Sequence, residues 1–176
     1  MTQAVLVPTP GHSATFSQCL RYRYALTRAI TPVTDRDAPR SRIAFIMLNP
    51  STADEEHNDP TIRRCIGFAR AWGFDDLEIG NLFAYRSTDP DALAAVTDPV
   101  GPDNDAALQD IARGAHMIIY AWGSWKGVFK RSWEASRMIA EMQPHTYCLG
   151  VTKTGEPAHP LYLAADTQPV PFVRVF

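Results

Sequence analysis

From residue 43 onward the chain alternates short apolar runs, polar turns and apolar stripes at helical spacing. Ile43, Ala44, Phe45, Ile46, Met47 and Leu48 are apolar without a break, the pattern of a strand buried on both faces. A polar turn, Asn49-Pro50-Ser51-Thr52-Ala53-Asp54, ends it. Asp59-Pro60 then supplies a helix cap and a proline at the first helical position, and Ile62, Cys65, Ile66 and Ala69 make an apolar stripe. This predicts a helix over 60–72, stopped by Gly73. A second strand is expected over 77–83. Leu108, Ile111, Ala112 and Ala115 line a helix opening near Pro102 or Asp103, followed by a strong strand over 116–122. Gly123-Ser124 breaks that strand, and 125–142 is helical by spacing, with Val128, Ala135, Ile139 and Met142 on one side. A short strand over 146–149, an irregular loop over 150–163 and an edge strand over 170–176 complete the pattern.

The N-terminal part has a different period. Leu20, Tyr22, Tyr24 and Leu26 share one face while Arg21, Arg23 and Ala25 point the other way, as in a half-buried strand of an antiparallel hairpin at a sheet edge. Residues 31–42 are rich in Pro, Asp and Arg and read as a loop. Strands alternating with helices imply a parallel sheet with right-handed crossovers and helices on both faces. The expected fold is therefore a three-layer α/β/α domain: a central, mostly parallel four-stranded sheet with antiparallel edge strands. One domain over 1–176 is expected, with 1–15 a loosely ordered extension.

Composition changes this picture little. Apolar residues make up 45% and charged residues 20%, which fits an ordinary globular chain rather than a disordered or fibrous one. No apolar run approaches the roughly 18 residues of a membrane span and the N-terminus lacks a signal-peptide pattern, so a cytoplasmic protein without membrane contact or an obligate protein partner is expected. Cys19, Cys65 and Cys148 are widely spaced and odd in number, suiting reduced thiols better than disulfides or a structural zinc site.

A net charge of −2 supplies no global attraction to polyanions. Contact with a nucleic-acid backbone would then rest on local patches: Lys126, Lys130, Arg131 and Arg137 on one helix, Arg21, Arg23 and Arg28 near the N-terminus, and Arg63 with Arg64 beside the Asn49 turn. Each patch reads equally as a solvated face or a set of salt bridges.

If the strands are parallel, their carboxyl ends gather on one rim. That rim carries Asn49, Pro50 and Ser51; Asn81 with Arg86; Trp122, Gly123 and Ser124, with Trp125 next in the chain; and Lys153 through His159 to Leu161, with Tyr162 following. The bland alternatives remain beside each: Ser51 and its neighbours cap a helix, Asn81 satisfies a strand end, and His159 is held on loop backbone. Asp54, Glu55, Glu56, His57 and Asp59 crowd one loop, either as oxygen ligands for a hard cation or as a solvated acidic loop.

The runs Ile46-Met47-Leu48-Asn49-Pro50-Ser51-Thr52-Ala53-Asp54, Asp59-Pro60-Thr61-Ile62-Arg63-Arg64-Cys65, Asn81-Leu82-Phe83-Ala84, Ala121-Trp122-Gly123 and His159-Pro160-Leu161-Tyr162-Leu163 resemble the bacterial family catalogued as domain of unknown function 1643. More distantly, the order of an Asn-Pro turn, an Asn-bearing strand, a Gly-terminated strand and a late His-Pro-x-Leu loop resembles the uracil-DNA glycosylase superfamily. That resemblance implies a glycosylase-like fold and a nucleobase-recognising protein that hydrolyses an N-glycosidic bond without metal or cofactor, acting on nucleic acid or nucleotide. Asn49 corresponds to the residue that positions the attacking water, Asn81 to the base-reading amide, and His159 to the imidazole that stabilises the departing base; Asp54 is a further catalytic candidate from the same turn. Pro50, Ser51, Arg86, Gly123, Trp125, Lys153 and Tyr162 would contribute binding, with Arg63, Lys126 and Lys130 along a backbone. Leu48 and Ser51 depart from the pattern, standing where glycines are expected. A non-catalytic nucleotide-binding module and a metal-assisted phosphohydrolase using Asp54, Glu55 and His57 are the alternatives.

Overall fold

The computed structural model describes residues 10–32, 37–51, 53, 57–172 and 174. Seven strands form one sheet: β1 Ser13–Phe16, β2 Arg23–Ala29, β3 Arg42–Met47, β4 Asp76–Asn81, β5 Met117–Tyr120, β6 Thr146–Cys148 and β7 Val170–Pro171, in the order β1-β2-β4-β3-β5-β6-β7. β4, β3, β5 and β6 are parallel; β1 and β2 at one edge and β7 at the other run antiparallel. The sheet is thus wider than the four strands the periodicity suggested, because a hairpin and a two-residue strand extend its edges. The expected extension over 1–15 yields its last residues, 13–15, to β1.

Three helices cover the faces: α1 Pro60–Ala71, α2 Asn104–Gly114 and α3 Val128–Met142. α1 begins as its sequence dictates, with the Asp59 carboxylate accepting from the Ile62 amide at 2.8 Å and Pro60 at the first turn. It lays Ile62, Cys65, Phe68 and Ala69 on Ile43, Phe45, Met47, Leu77 and Ile79. On the opposite face, Leu108, Ile111, Ala135 and Ile139 of α2 and α3 meet Ala44, Ile46, Ile118 and Tyr120. Alternate residues of β3 enter the two cores, the signature of a strand covered on both sides. Gly80 lets α2 approach: a Cβ there would lie 2.8 Å from Leu108 Cδ2 and 2.9 Å from Ile111 Cδ1.

Two readings need correction. Leu20 is not on a strand face; it sits in the β1–β2 turn with φ +57° and its side chain exposed. The supposed basic faces are also partly interior. Arg23 and Arg28 are buried, and so is Arg131, whose Nε donates to the Leu82 carbonyl at 2.8 Å and whose guanidinium pairs with Asp105 at 2.6 Å. These arginines act as long hydrogen-bonding props, a use that charge counting along the chain does not distinguish from a solvated cation. Trp133 is one of the exposed large apolar residues.

The chain moves from β3 outward to β4 and then back across to β5, so β3 and β5 flank a topological switch point. In such sheets the loops leaving the two strands diverge and open a crevice. No helix among the described residues is long and apolar enough to cross a membrane.

Candidate functional site

A crevice of about 560 Å³ opens beyond the carboxyl ends of β3, β4 and β5. Asn49 and Ser51 enter it from the turn after β3, Asn81 from the end of β4, Gly123 from the turn after β5, and His159 and Tyr162 from the late loop. Asp59 and Thr61 bring the first turn of α1 to its wall. Parallel pairing makes this convergence unavoidable, since Met47 lies opposite Asn81 and Ile46 opposite Tyr120.

Asn81 is the most informative residue. It continues the face of Leu77 and Ile79, so a polar side chain occupies a position the strand period reserves for the core. It is 1% exposed, and its Nδ2 has no hydrogen-bond partner. Its backbone is firmly held: Asn104 Nδ2 donates to the carbonyls of Asn81 at 3.0 Å and Leu82 at 3.1 Å, and Arg131 holds Leu82 as well. A buried amide nitrogen without a partner costs about 1–3 kcal/mol, so at a residue that lines the crevice it is an outlier that a ligand acceptor would satisfy.

Asn49 is oriented by its neighbours. Its Nδ2 donates to the Ser87 carbonyl at 2.8 Å and the Pro50 carbonyl at 3.2 Å. Two carbonyl acceptors demand the nitrogen, which leaves Oδ1 as the end able to accept from water or a hydroxyl. Buried Pro50 contributes through its backbone, accepting also from the Ser87 amide at 2.9 Å.

His159 Nδ1 accepts from the Leu161 amide at 3.3 Å, placing the proton of the neutral ring on Nε2. Burial lowers its pKa below the ordinary imidazole value, while the Asp59 carboxylate pushes partly the other way. At neutral pH it is an uncharged N–H donor. Gly123 permits its approach: φ is +73°, its amide donates to the Pro157 carbonyl at 2.9 Å, and a Cβ would meet His159 Cβ at 3.3 Å. Behind it, buried Trp122 donates from Nε1 to Glu156 at 2.6 Å, and Glu156 is ion-paired with Arg174. Tyr162, 84% exposed at the rim, lies with its ring centroid 5.7 Å from that of His159.

Other anticipated residues lie elsewhere. Arg86 lines an adjoining depression. Trp125 is tied by Nε1 to Asp91 at 3.0 Å and packs edge-on to Phe83, and it does not line the crevice. Lys153, Lys126 and Lys130 are exposed outside it; Lys130 stands 3.8 Å from Glu134. Arg63 donates to the Asn58 carbonyl at 2.5 Å. Asp54, Glu55 and Glu56 lie outside the described residues, and among the described residues no group of three or more potential metal ligands occurs.

Asn104 and Glu156 were not anticipated, and Arg23, expected in a basic patch facing a nucleic-acid backbone, lines the crevice instead. Arg23 donates to the Ala53 carbonyl at 2.6 Å, while Arg28 Nε reaches Asn58 Oδ1 at 2.7 Å, so β2, the inner strand of the edge hairpin, braces the loop between β3 and α1. The signal was an arginine alternating with buried aromatics on a strand, although only the fold identifies what it reaches.

Fold and crevice together define an α/β protein with a polar-lined pocket at the switch point of a mixed sheet. The chain belongs to the family described as Protein of unknown function (DUF1643), which it matches over residues 23–161, a span that includes β2 and continues through His159. No curated protein and no solved structure matches it.

Proposed function

We propose that the crevice binds a nucleobase and that its chemistry is hydrolysis of the N-glycosidic bond. The observation that carries this reading is the buried, unpartnered amide of Asn81. An amide both donates and accepts, matching the alternating edge of a base carrying a carbonyl beside a ring N–H or amino group. A volume of about 560 Å³ suits a base with its sugar. Ser51, where a glycine would admit closer approach, sets the base back from the turn backbone.

In this reading Asn49 Oδ1 accepts from a water and aims its oxygen at the anomeric carbon. The carbon–oxygen bond forms as the carbon–nitrogen bond breaks; the electron pair leaves with the base, and the water proton passes to solvent. His159 Nε2–H, neutral and desolvated, donates to the charge gathering on the base. A fixed donor of this kind contributes on the order of 100-fold to 1000-fold in rate. Tyr162 offers an exposed ring on which a flanking base stacks.

The test offers single-stranded and mismatched DNA with deaminated or alkylated bases, together with the corresponding nucleotides, and counts free base. Asn49→Ala and His159→Ala are expected to lower release about 100-fold or more with circular dichroism unchanged. Release should persist in chelator. Binding by calorimetry without release reduces the reading to a binding module; neither binding nor release overturns it, and chelator-sensitive phosphate release points to the hydrolase.

A further inference from the structure

Beside the crevice lies a second, more open depression lined by Arg21, Arg86, Ser51, Ser87 and Thr88, with Leu20 at its edge. Ser51, Ser87 and Thr88 line both hollows, so the two form one continuous surface. We propose that this depression is a phosphate subsite, and that the substrate of the crevice is therefore a phosphorylated nucleoside, held by its phosphate ester on Arg21 and Arg86. The inference rests on the nucleobase reading of the crevice and adds the substrate class.

Neither guanidinium forms an ion pair with any described carboxylate. That sets them apart from Arg40, Arg42, Arg113, Arg131 and Arg174, each paired with an acid. Arg86 is nevertheless held in place: Nη1 donates to the Leu20 carbonyl at 3.1 Å, its backbone amide donates to the Arg21 carbonyl at 3.0 Å, and its guanidinium lies over the Phe16 ring at 4.8 Å. Its Nε is buried and has no partner. A positioned guanidinium without a carboxylate partner among the described residues, beside a second cation and hydroxyls, is suited to a phosphate, whose oxygens accept several bonds at once.

The backbone supplies an independent sign. Leu20, whose carbonyl anchors Arg86, is the one non-glycine residue with positive φ among the described residues, at +57°. A leucine in that region is strained, and such strain is characteristic of segments held for a ligand rather than for packing; its exposed side chain gains little burial in return. The strained turn and the held guanidinium meet at the same depression.

Calorimetry on the full chain tests the proposal with four probes: the deoxynucleosides, their 5′-monophosphates, a short single-stranded oligonucleotide and inorganic phosphate. Wild type is expected to bind a monophosphate or the oligonucleotide about tenfold more tightly than the matching nucleoside, an increment that shrinks as salt rises. Arg21→Ala, at an exposed position, and Arg86→Gln are expected to erase the increment and leave nucleoside affinity unchanged, with melting temperature as the folding control. Preference for the oligonucleotide over the monophosphate identifies a strand as the phosphate source; the reverse identifies a free nucleotide. Equal affinity of wild type for nucleoside and monophosphate overturns the subsite, as does an equal loss of both in the Arg21→Ala protein. Arginine-dependent binding of inorganic phosphate without binding of any nucleoside keeps the subsite and refutes the nucleobase reading; no binding of any probe refutes both.

Discussion

The two ends of the parallel strands treat polar groups in opposite ways. At the amino end the acids of β4 and of the turn before it are matched. Arg40 reaches Asp76 with Nε and Nη2 at 2.8–3.1 Å, Asp75 accepts from the Ser41 amide at 2.9 Å, the Ser41 hydroxyl at 2.8 Å and the Thr31 hydroxyl at 2.9 Å, and Arg42 pairs with Glu78 at 3.2 Å. His116 Nδ1 accepts from the Arg42 amide. At the carboxyl end, Asn81 Nδ2 and Arg86 Nε are buried without partners, and Arg21 and Arg86 have no paired carboxylate among the described residues. Satisfied polar groups stabilise a fold, whereas held but unsatisfied ones cost stability that only a ligand recovers. The matched groups at the amino end hold the fold, and the unmatched ones at the carboxyl end are those on which the proposed binding depends.

The largest effect should come from breaking the amino end. Asp76→Ala leaves the largely buried Arg40 without its carboxylate and is expected to destabilise the protein by about 3 kcal/mol in urea unfolding, with ligand affinity of the folded protein unchanged. A loss of affinity equal to that of an Asn81 variant would erase the division of labour. Next in size is Asn81→Leu. Removing an unpartnered amide should leave stability within about 1 kcal/mol or raise it, while nucleobase affinity falls about 100-fold. Destabilisation by several kcal/mol would show the amide to be structural after all.

Acid titration sharpens the contrast further. The folded pKa of His159 is lowered by desolvation, so charging it opposes folding: stability declines as pH drops below the ordinary value of 6.5 and levels off below the folded value. The Asp75 pKa is lowered by its hydrogen bonds from Ser41, so its contribution is complete above 3.8 and disappears only as pH falls through the folded value. Base release is expected to hold level from pH 8 down through 6.5, and the imidazole shifts of His159 in NMR, assigned with His159→Gln, should titrate below that value. A midpoint above 6.5 contradicts the neutral-donor role.

The smallest effect concerns thiols. Cys19, in the exposed turn at the carboxyl-end rim, has a pKa lowered by its hydrogen bond with Ser17, whereas Cys65 and Cys148 are buried with raised values. Native protein should consume one equivalent of a thiol reagent quickly, and Cys19→Ser none. Fast reaction of a second thiol would show that the core opens readily.

Much of this was legible along the chain. The 60–72 stripe with Asp59-Pro60 before it became α1 Pro60–Ala71, since capping and period are local properties. The gathering of Asn49, Asn81, Gly123 and His159 at one crevice followed from alternation of strand and helix, because parallel strands carry their carboxyl ends to one side. The edge hairpin was also visible in its period, but the turn at Leu20 was not, because a positive φ leaves no mark on apolar alternation.

What the sequence by itself determined is the set of elements and the rim on which the polar turns meet; both depend on neighbours within a few residues and on a single handedness rule. Only the tertiary structure decided which charges are interior and which groups lack partners. Arg28 is a buried brace because Asn58, thirty residues on, comes within 2.7 Å, and Arg131 because the Leu82 carbonyl, forty-nine residues back, lies 2.8 Å away. Arg86 keeps an unused donor because no described acid comes close. Hydrogen-bond satisfaction is a property of pairs distant in sequence, and the local pattern that builds a strand carries no record of what will face its end.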